Sequence, residues 1–167
     1  DLTRIESGQK KRELQTVDLV EAISMTVETV RPSADERNIR ISVEAPCQLR
    51  FYGDGDEIEI ILNNLVSNAV KYNRDDGLVT ILMEEKEHYV HLSVEDTGIG
   101  MTEEESERLF EDFVRIRNEK TRSIPGSGLG LSIVRKIVQL YDGVASIQSE
   151  PDRGSTFSVT LKNEWPA

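Results

Sequence analysis

Three polar side chains lie at the edge of a strongly amphipathic stretch in the middle of the chain. Asn64, Asn68 and Lys71 are spaced i, i+4 and i+7, which on a helix places them within about 60° of one another. An amide oxygen is a suitable ligand for a hard cation such as Mg²⁺, and an ammonium group binds phosphate oxygens. The same residues would also serve as ordinary boundary residues of a half-buried helix, so the helix alone leaves both interpretations open.

A carboxylate and two glycines follow an alternating apolar segment further along the chain. In Asp96-Thr-Gly98-Ile-Gly100 the carboxylate stands at the predicted end of a strand. There it would accept a hydrogen bond from the exocyclic amine of a base, and the glycines would let a flat ring approach the backbone. Asp-x-Gly is also common turn chemistry, so this motif alone does not decide between a site and a turn.

A second glycine cluster precedes a helix pattern. Gly126-Ser-Gly128-Leu-Gly130 would present backbone amides to a phosphate at a helix N-terminus. The cluster is not a P-loop, because no Gly-Lys-Ser/Thr ends it. It is not a dinucleotide fingerprint either, because Leu131 occupies the position of the third glycine.

The composition limits the classes of function. The chain has 167 residues, which suits one globular domain, and no apolar run approaches the ~20 residues needed to cross a bilayer. Its net charge of −11 makes it a poor match for nucleic acid or anionic lipid, whose phosphates are bound by clustered Lys and Arg. Its one cysteine and its two histidines, His88 and His91, do not make a zinc site. We therefore expect no nucleic-acid partner and no membrane contact by this domain.

Hydrophobic periodicity predicts the order of the elements. We expect helices over 19–34, 56–73, 102–110 and 128–140, strands over 39–43, 49–52, 79–84, 89–95, 144–149 and 156–161, and a loop over 114–127. Asp18 is the predicted N-cap of the first helix, Pro32 is expected to kink or end that helix, and Asp142-Gly143 is expected to cap the last one. This order favours an α+β fold with helices on one face of a mostly antiparallel sheet.

The motifs, in this order and spacing, resemble those of the ATP-binding catalytic domain of two-component sensor histidine kinases. Five boxes of that family are present over about residues 54–160: an asparagine box Asn64-Leu-Val-Ser-Asn68-Ala-Val-Lys71-Tyr72, a glycine box Asp96-Thr-Gly98-Ile-Gly100, a phenylalanine box Phe110-Glu-Asp-Phe113-Val-Arg115, a second glycine box Gly126-Ser-Gly128-Leu-Gly130-Leu131, and a last one, Gly154-Ser-Thr156-Phe157.

The resemblance implies a fold and a ligand. The fold is a two-layer α+β sandwich in which three main helices pack on a mixed, mostly antiparallel sheet of about five strands, with an ATP lid loop over about 114–127. Gyrase-type ATPases and the heat-shock 90 chaperones share this fold. The implied cofactors are ATP and Mg²⁺.

The resemblance also assigns the adenine end of the site. Asp96 would bind the adenine amine, and Gly98, Gly100 and Thr156 would lie nearby. Tyr72 would pack on the ring.

The phosphate end would be formed mainly by the asparagine box and the lid. Asn68 would hold Mg²⁺, Lys71 would bind phosphate oxygens, and Arg115 would reach the γ-phosphate. Asn64, Lys71 and Arg115 would form the catalytic set. Beyond Arg115, the basic residues of the lid would also be ordinary solvated side chains. The remaining nucleotide contacts are expected from Lys120, Arg122, Gly126, Gly128, Leu129, Gly130 and Leu131.

One residue of the family pattern has no match. The phosphoacceptor histidine lies on the first dimerisation helix of such kinases, and neither His88 nor His91 matches it. Residues 1–13 resemble the end of the second dimerisation helix and its linker, 14–163 would be the ATP-binding catalytic domain, and 164–167 a tail. The chain begins at Asp1 rather than Met, and we expect it to be a piece of a longer protein.

The expected activity is that of a protein-histidine kinase whose catalytic part is inactive alone. The expected partners are its own dimerisation domain, which carries the histidine, and a downstream response regulator. The piece itself would be monomeric and the full-length protein a homodimer. It would be a cytoplasmic domain of a membrane-anchored or soluble parent.

Three alternatives share parts of this pattern. A gyrase-like ATPase is disfavoured, because such relatives place a water-activating glutamate at the position of Asn64 and an amide cannot act as a base. An anti-sigma-factor serine kinase is disfavoured by the Arg-Ile-Glu-Ser-Gly segment near the start. A regulatory module that only binds nucleotide, or binds nothing, is disfavoured by the intact motifs.

Overall fold

The computed structural model describes residues 11–111, 116, 118–124 and 130–167. Three of its helices are long, and a fourth, over Glu103–Arg108, is short with no buried residue. Within the described ranges the elements follow in the order β1 (Leu14–Asp18), α1 (Leu19–Glu36), β2 (Arg40–Glu44), β3 (Arg50–Asp54), α2 (Gly55–Lys71), β4 (Leu78–Lys86), β5 (Tyr89–Asp96), α3 (Glu103–Arg108), α4 (Gly130–Leu140), β6 (Val144–Glu150) and β7 (Gly154–Lys162).

The described strands form two sheets. The larger sheet has the order β2-β4-β5-β7-β6, in which β2 runs parallel to β4 and all other neighbours are antiparallel. Strands β1 and β3 pair antiparallel in a separate small sheet. The predicted sandwich of three main helices on a mixed, mostly antiparallel five-stranded sheet is thereby confirmed.

The core lies between the helices and one face of the larger sheet. Val90, Leu92 and Val94 of β5 are buried, and the residues between them are more exposed, because successive side chains of a strand point to opposite faces. Helix α2 contributes an apolar face with helical spacing, which includes Ile58 and Leu65. Burial of these faces holds the second half of α2 against the sheet, next to the end of β5.

Helix α1 begins where the sequence predicts and ends later. The Asp18 carboxylate accepts a hydrogen bond from the N–H of Val20 at 3.0 Å, as an N-cap does. Of the two expected effects of Pro32, ending the helix is wrong, because α1 continues to Glu36, and a kink at Pro32 stays a prediction. Buried positions lie on both sides of the proline, Val30 before it and Ala34 after it, so packing outweighs the lost backbone hydrogen bond.

Strand β1 was not predicted from the sequence. Its first three residues are exposed, so it has no apolar alternation to reveal it. It forms by pairing with β3, with Leu14 opposite Asp54 and Asp18 opposite Arg50. The strand expected over 49–52 therefore belongs to the small sheet rather than to the larger one.

The remaining predictions near the loops are largely confirmed. Asp142 has φ 49° and the N–H of Gly143 donates to the Val138 carbonyl at 3.1 Å, which is the predicted cap of α4. The predicted start of α4 at Gly128 lies outside the described residues. His88 lies in the turn between β4 and β5. Residues 116 and 118–124, which fall in the expected loop, contain no helix or strand.

No helix in the described part of the chain is long and apolar enough to cross a membrane.

Candidate nucleotide-binding site

Helix α2 carries a group of the predicted site residues on its second half. Asn64, Asn68 and Lys71 are all half-buried, as expected for the edge of its apolar face. Tyr72 is the C-cap residue, and its N–H donates to the Asn68 carbonyl at 3.0 Å. The Nζ atom of Lys71 lies 5.7 Å from the centre of the Tyr72 ring, within the range of a cation–π contact. The structure thus brings these four residues together.

Asn64 connects α2 to the start of α4. Its Nδ2 donates a hydrogen bond to the Ile60 carbonyl at 2.7 Å. A Cβ atom placed on Gly130 would lie 2.3 Å from the Asn64 Oδ1, so the first residue of α4 rests directly on this amide. The next residue, Leu131, is buried in the core. The second glycine box therefore reaches the asparagine box through Gly130.

The Asp96 carboxylate is buried at the end of β5, with 6% of the residue exposed. It accepts hydrogen bonds from the N–H of Gly98 at 2.9 Å and from the backbone N–H of Ser155. Burial, which these two donors oppose in part, raises the pKa of Asp96 to about 6. A carboxylate in such surroundings is a strong acceptor for a further neutral donor, such as an exocyclic amine.

The glycines of the 96–100 loop are required by the packing of the protein on itself. A Cβ atom on Gly98 would lie 2.2 Å from the Tyr72 carbonyl oxygen. Gly100 has φ +63°, and a Cβ there would lie 1.9 Å from the Glu150 carbonyl oxygen. The loop is therefore held between the end of α2 and the β6–β7 hairpin, and this arrangement fixes Asp96 in place.

Thr156 does not lie on the same face as Asp96. In the β5–β7 ladder Asp96 is opposite Ser155, whereas Thr156 is opposite Glu95. Residues directly opposite each other share a face and neighbours along a strand alternate, so it is Ser155, itself buried, that shares the face of Asp96. The sequence contains the signal for this placement, because Ser155 has the same parity as the buried Phe157.

Two residues just after the asparagine box were missed by the sequence analysis. Asn73 is 4% exposed, and its Oδ1 accepts a hydrogen bond from the Thr97 hydroxyl at 3.1 Å. Arg74 donates to the carbonyls of Gly98 at 3.2 Å and Asp152 at 2.5 Å. Together they join the end of α2 to the loop that carries Asp96 and to the β6–β7 turn. No local pattern predicts these bonds, because the partners are far apart in sequence.

The described part of the expected lid lies against the β6–β7 turn. Lys120 forms an ion pair with the Asp152 carboxylate, and its hydrogen bond and charge lower the pKa of Asp152. Arg122 is exposed. The expected contacts of Lys120 and Arg122 with phosphate stay predictions. The predicted residues outside the described part of the chain are Phe113, Arg115, Gly126, Gly128 and Leu129.

The side chains present are compatible with Mg²⁺ bound jointly with a nucleotide. Among the described residues, no group of three or more His, Cys, Asp or Glu is placed to hold a metal ion. Mg²⁺ is commonly bound by one or two protein groups together with waters and substrate phosphates. The half-buried amide of Asn68 suits such a shared site, whereas a site built from protein groups alone would need more ligands.

Comparisons with known proteins agree with this geometry. Residues 53–164 match the family described as "Histidine kinase-, DNA gyrase B-, and HSP90-like ATPase". The chain is 34% identical over 161 residues to the sensor-like histidine kinase SenX3 of Mycobacterium tuberculosis, which covers 96% of this chain and 39% of that protein. It is 34% identical over 175 residues to the autoinducer 2 sensor kinase/phosphatase LuxQ of Vibrio vulnificus, covering 98% of this chain and 20% of LuxQ. The chain thus spans well under half the length of these relatives.

Solved structures of histidine kinases have the same fold. The mycobacterial sensor histidine kinase MprB superposes with a TM-score of 0.79 at 25% identity, over 91% of this chain and 99% of that one. Full-length ShkA in complex with AMPPNP gives 0.81 at 26% identity, over 99% of this chain and 35% of ShkA. ThkA in complex with the response regulator TrrA gives 0.78 at 26% identity, over 98% of this chain and 46% of that one.

Proposed function

We propose, on the premise that this chain belongs to the family of histidine kinase-, DNA gyrase B- and HSP90-like ATPases, that it binds MgATP and donates the γ-phosphoryl group to a histidine in two-component signalling. The acceptor histidine belongs to a dimerisation domain of the longer parent protein. In this proposal residues 1–13 are the end of the dimerisation helix and its linker, 14–163 form the catalytic domain, and 164–167 are a tail.

The buried carboxylate of Asp96 is the observation that supports the proposal most directly. It is placed at a strand end, held by two backbone donors, and its pKa is raised to about 6 by burial. At neutral pH it is mostly ionised, and an adenine amine would give it a third donor. A simple turn aspartate would be exposed and would need no such surroundings.

The phosphate end of the proposed site is formed by α2, the helix that borders the 96–100 loop. Lys71 would bind phosphate oxygens, and Asn68 would hold Mg²⁺, which when bound supplies positive charge at the phosphates. Tyr72, which caps α2 and contacts the Gly98 loop, would pack on the adenine. Arg115 would reach the γ-phosphate from the lid.

Asn64 favours transfer to an imidazole over hydrolysis. Its NH₂ group is engaged by the Ile60 carbonyl and its oxygen faces Gly130. An amide held in this way cannot accept a proton from water. An imidazole is itself a nucleophile and needs less activation than water does, so the loss of a base matters less for transfer to histidine.

The comparisons support the proposed ligand and partners. ShkA was solved with AMPPNP and ThkA with the response regulator TrrA, and both resemble this chain over nearly all of its length. We infer that this chain binds ATP, acts on its own dimerisation domain, and that the parent protein phosphorylates a response regulator.

Labelling with γ-³²P-ATP tests the proposal. We expect the chain alone to bind MgATP, to hydrolyse it very slowly and not to label itself, because positioning of an acceptor supplies much of the catalysis. Added as a separate polypeptide, the dimerisation domain of the parent should be labelled weakly, with the acid-labile, base-stable behaviour of phosphohistidine. Self-labelling on His88 or His91 would contradict the proposal. Brisk hydrolysis without the dimerisation domain would favour a gyrase-like ATPase instead.

A further inference from the structure

The guanidinium of Arg37 caps the end of α2 from outside that helix. Arg37 is the C-cap residue of α1. One of its terminal nitrogens donates to the carbonyls of Val70 at 2.7 Å and Lys71 at 3.3 Å, and the other donates to the carbonyl of Asn73. Its Nε pairs with the Asp75 carboxylate at 2.9 Å. One side chain thus binds three backbone carbonyls at the helix end.

These carbonyls belong to the turn that carries Lys71, the side chain proposed to bind phosphate. The last carbonyls of a helix have no partner within it and concentrate the negative end of the helix dipole. Here that end lies at Lys71 and Tyr72, in a domain of net charge −11. A triphosphate brought to this turn would be repelled by uncapped carbonyls. Arg37 both neutralises them and fixes the position of the turn.

A second contact connects this turn to the adenine end of the proposed site. The Asn73 carbonyl accepts from Arg37, while the Asn73 side chain accepts from the Thr97 hydroxyl. Thr97 directly follows Asp96. Asp75, the acidic partner of Arg37, is 75% exposed, so solvent screens its charge more than it screens the guanidinium.

We infer that Arg37 is a positioning residue of the nucleotide site, which it serves by neutralising and holding the C-terminal turn of α2 so that an anionic phosphate chain is accepted beside Lys71. The inference rests on the proposed function. It predicts that loss of Arg37 weakens the binding of a nucleotide in proportion to the ligand's negative charge. A residue with a purely structural role would instead weaken neutral and charged ligands alike.

Calorimetry with ADP and with adenosine separates these two outcomes. Both ligands are titrated in EDTA, so that the proposed Mg²⁺ ligand Asn68 does not enter. For Arg37→Gln we expect about a fivefold loss of ADP affinity and less than a twofold loss for adenosine, since a charge at a helix end acts mainly on a charged ligand. Arg37→Lys, which keeps the charge, should recover most of the ADP affinity.

Arg31→Gln is the matched control. Arg31 lies on α1, is 49% exposed and pairs with Glu28 of the same helix; its replacement changes the net charge equally without touching α2. We expect wild-type affinities for this variant. Equal losses of ADP and adenosine in Arg37→Gln, or the same selective loss in Arg31→Gln, would overturn the inference.

Two further readouts keep the test decisive. If Arg37→Gln is unfolded at the assay temperature, Asp75→Asn takes its place: it removes the exposed acidic partner of Arg37, so ADP should bind more tightly with adenosine unchanged, and an unchanged ADP affinity or an equal change for both ligands counts against the inference. If the unchanged chain binds neither ligand, the proposed function itself fails, which is a different result from binding without charge selectivity in the Arg37 variants.

Discussion

The raised pKa of Asp96 makes a prediction about both stability and binding. The folded value of about 6 exceeds the ordinary value of 3.8, so the folded chain binds this proton more tightly than the unfolded chain does. The contribution of Asp96 to stability is therefore largest at low pH and is lost as the pH rises from about 4 to about 6. The difference between the two values corresponds to about 3 kcal/mol at neutral pH.

Asp96→Asn isolates this contribution from that of other carboxylates. The variant cannot ionise at this position, and its amide oxygen can still accept from the N–H of Gly98. We expect the free energy of unfolding of the variant, minus that of the unchanged chain, to increase by up to about 3 kcal/mol between pH 4 and pH 7. Urea unfolding at several pH values measures it. Glu95→Gln is the control, because Glu95 is the exposed neighbour in β5, and its difference should change much less.

Nucleotide binding should change in the opposite direction. With a pKa of about 6, the carboxylate is ionised to about 90% at pH 7 and to about 9% at pH 5. If the ionised form accepts the adenine amine, the affinity for ATP falls about tenfold over this interval. Asp96→Asn should bind more weakly at pH 7, by roughly 10–150-fold for a lost charged hydrogen bond, and should lack the pH dependence. An affinity of the unchanged chain that is constant from pH 7 to pH 5, or an equal pH dependence in the variant, would refute the assignment of Asp96.

Three further predictions address the metal, the packing of the loop and the start of α2. Asn68→Ala should weaken ATP binding mainly when Mg²⁺ is present, because the lost ligand acts through the cation; equal losses with and without Mg²⁺ would indicate a packing role. Gly98→Ala should lower both thermal stability and ATP affinity, because its Cβ would lie 2.2 Å from a backbone oxygen; an unchanged melting temperature would contradict this. Arg12→Ala should lower the free energy of unfolding by about 3 kcal/mol, since it leaves the buried Glu57 carboxylate without its bidentate partner. Adding Glu57→Gln should restore part of that loss, and a full additive loss in the double variant would argue against the pair.

Local patterns were sufficient to predict the parts of the fold that bury apolar faces. The helical spacing of Ile58, Ile61 and Leu65 and the alternation in β5 are repeated in the structure, because burial of those faces is what forms these elements. The N-cap at Asp18 and the cap at Asp142-Gly143 were predicted for the same reason, since each satisfies backbone groups of its own helix end.

The missed features depend on partners that are distant in sequence. Strand β1 has little apolar pattern and exists through its pairing with β3, more than 30 residues away. Arg37 reaches carbonyls at 70–73 and Arg12 reaches Glu57, and neither bond has a local signature. The expectation that Thr156 lies near Asp96 failed for a different reason. The alternation of side chains along a strand could be read from the sequence, and it points to Ser155 instead of Thr156.

The charge of this domain has to be considered locally to explain how it would accept a triphosphate. The chain has 31 acidic and 20 basic residues. Near the end of α2, however, two of the basic side chains are fixed in position by hydrogen bonds. Arg37 and Arg74 are bound to backbone carbonyls of that turn and of the 96–100 loop. Arg37 thereby opposes the negative end of the α2 dipole, whereas Arg74 holds the 96–100 loop and the β6–β7 turn in place. Three of the acidic residues of α3, Glu103, Glu104 and Glu107, are exposed, where salt screens their charges beyond about 10 Å. For the proposed function, the guanidinium of Arg37 at the end of α2 is therefore expected to matter more for binding a phosphate chain beside Lys71 than the net charge of the whole domain does.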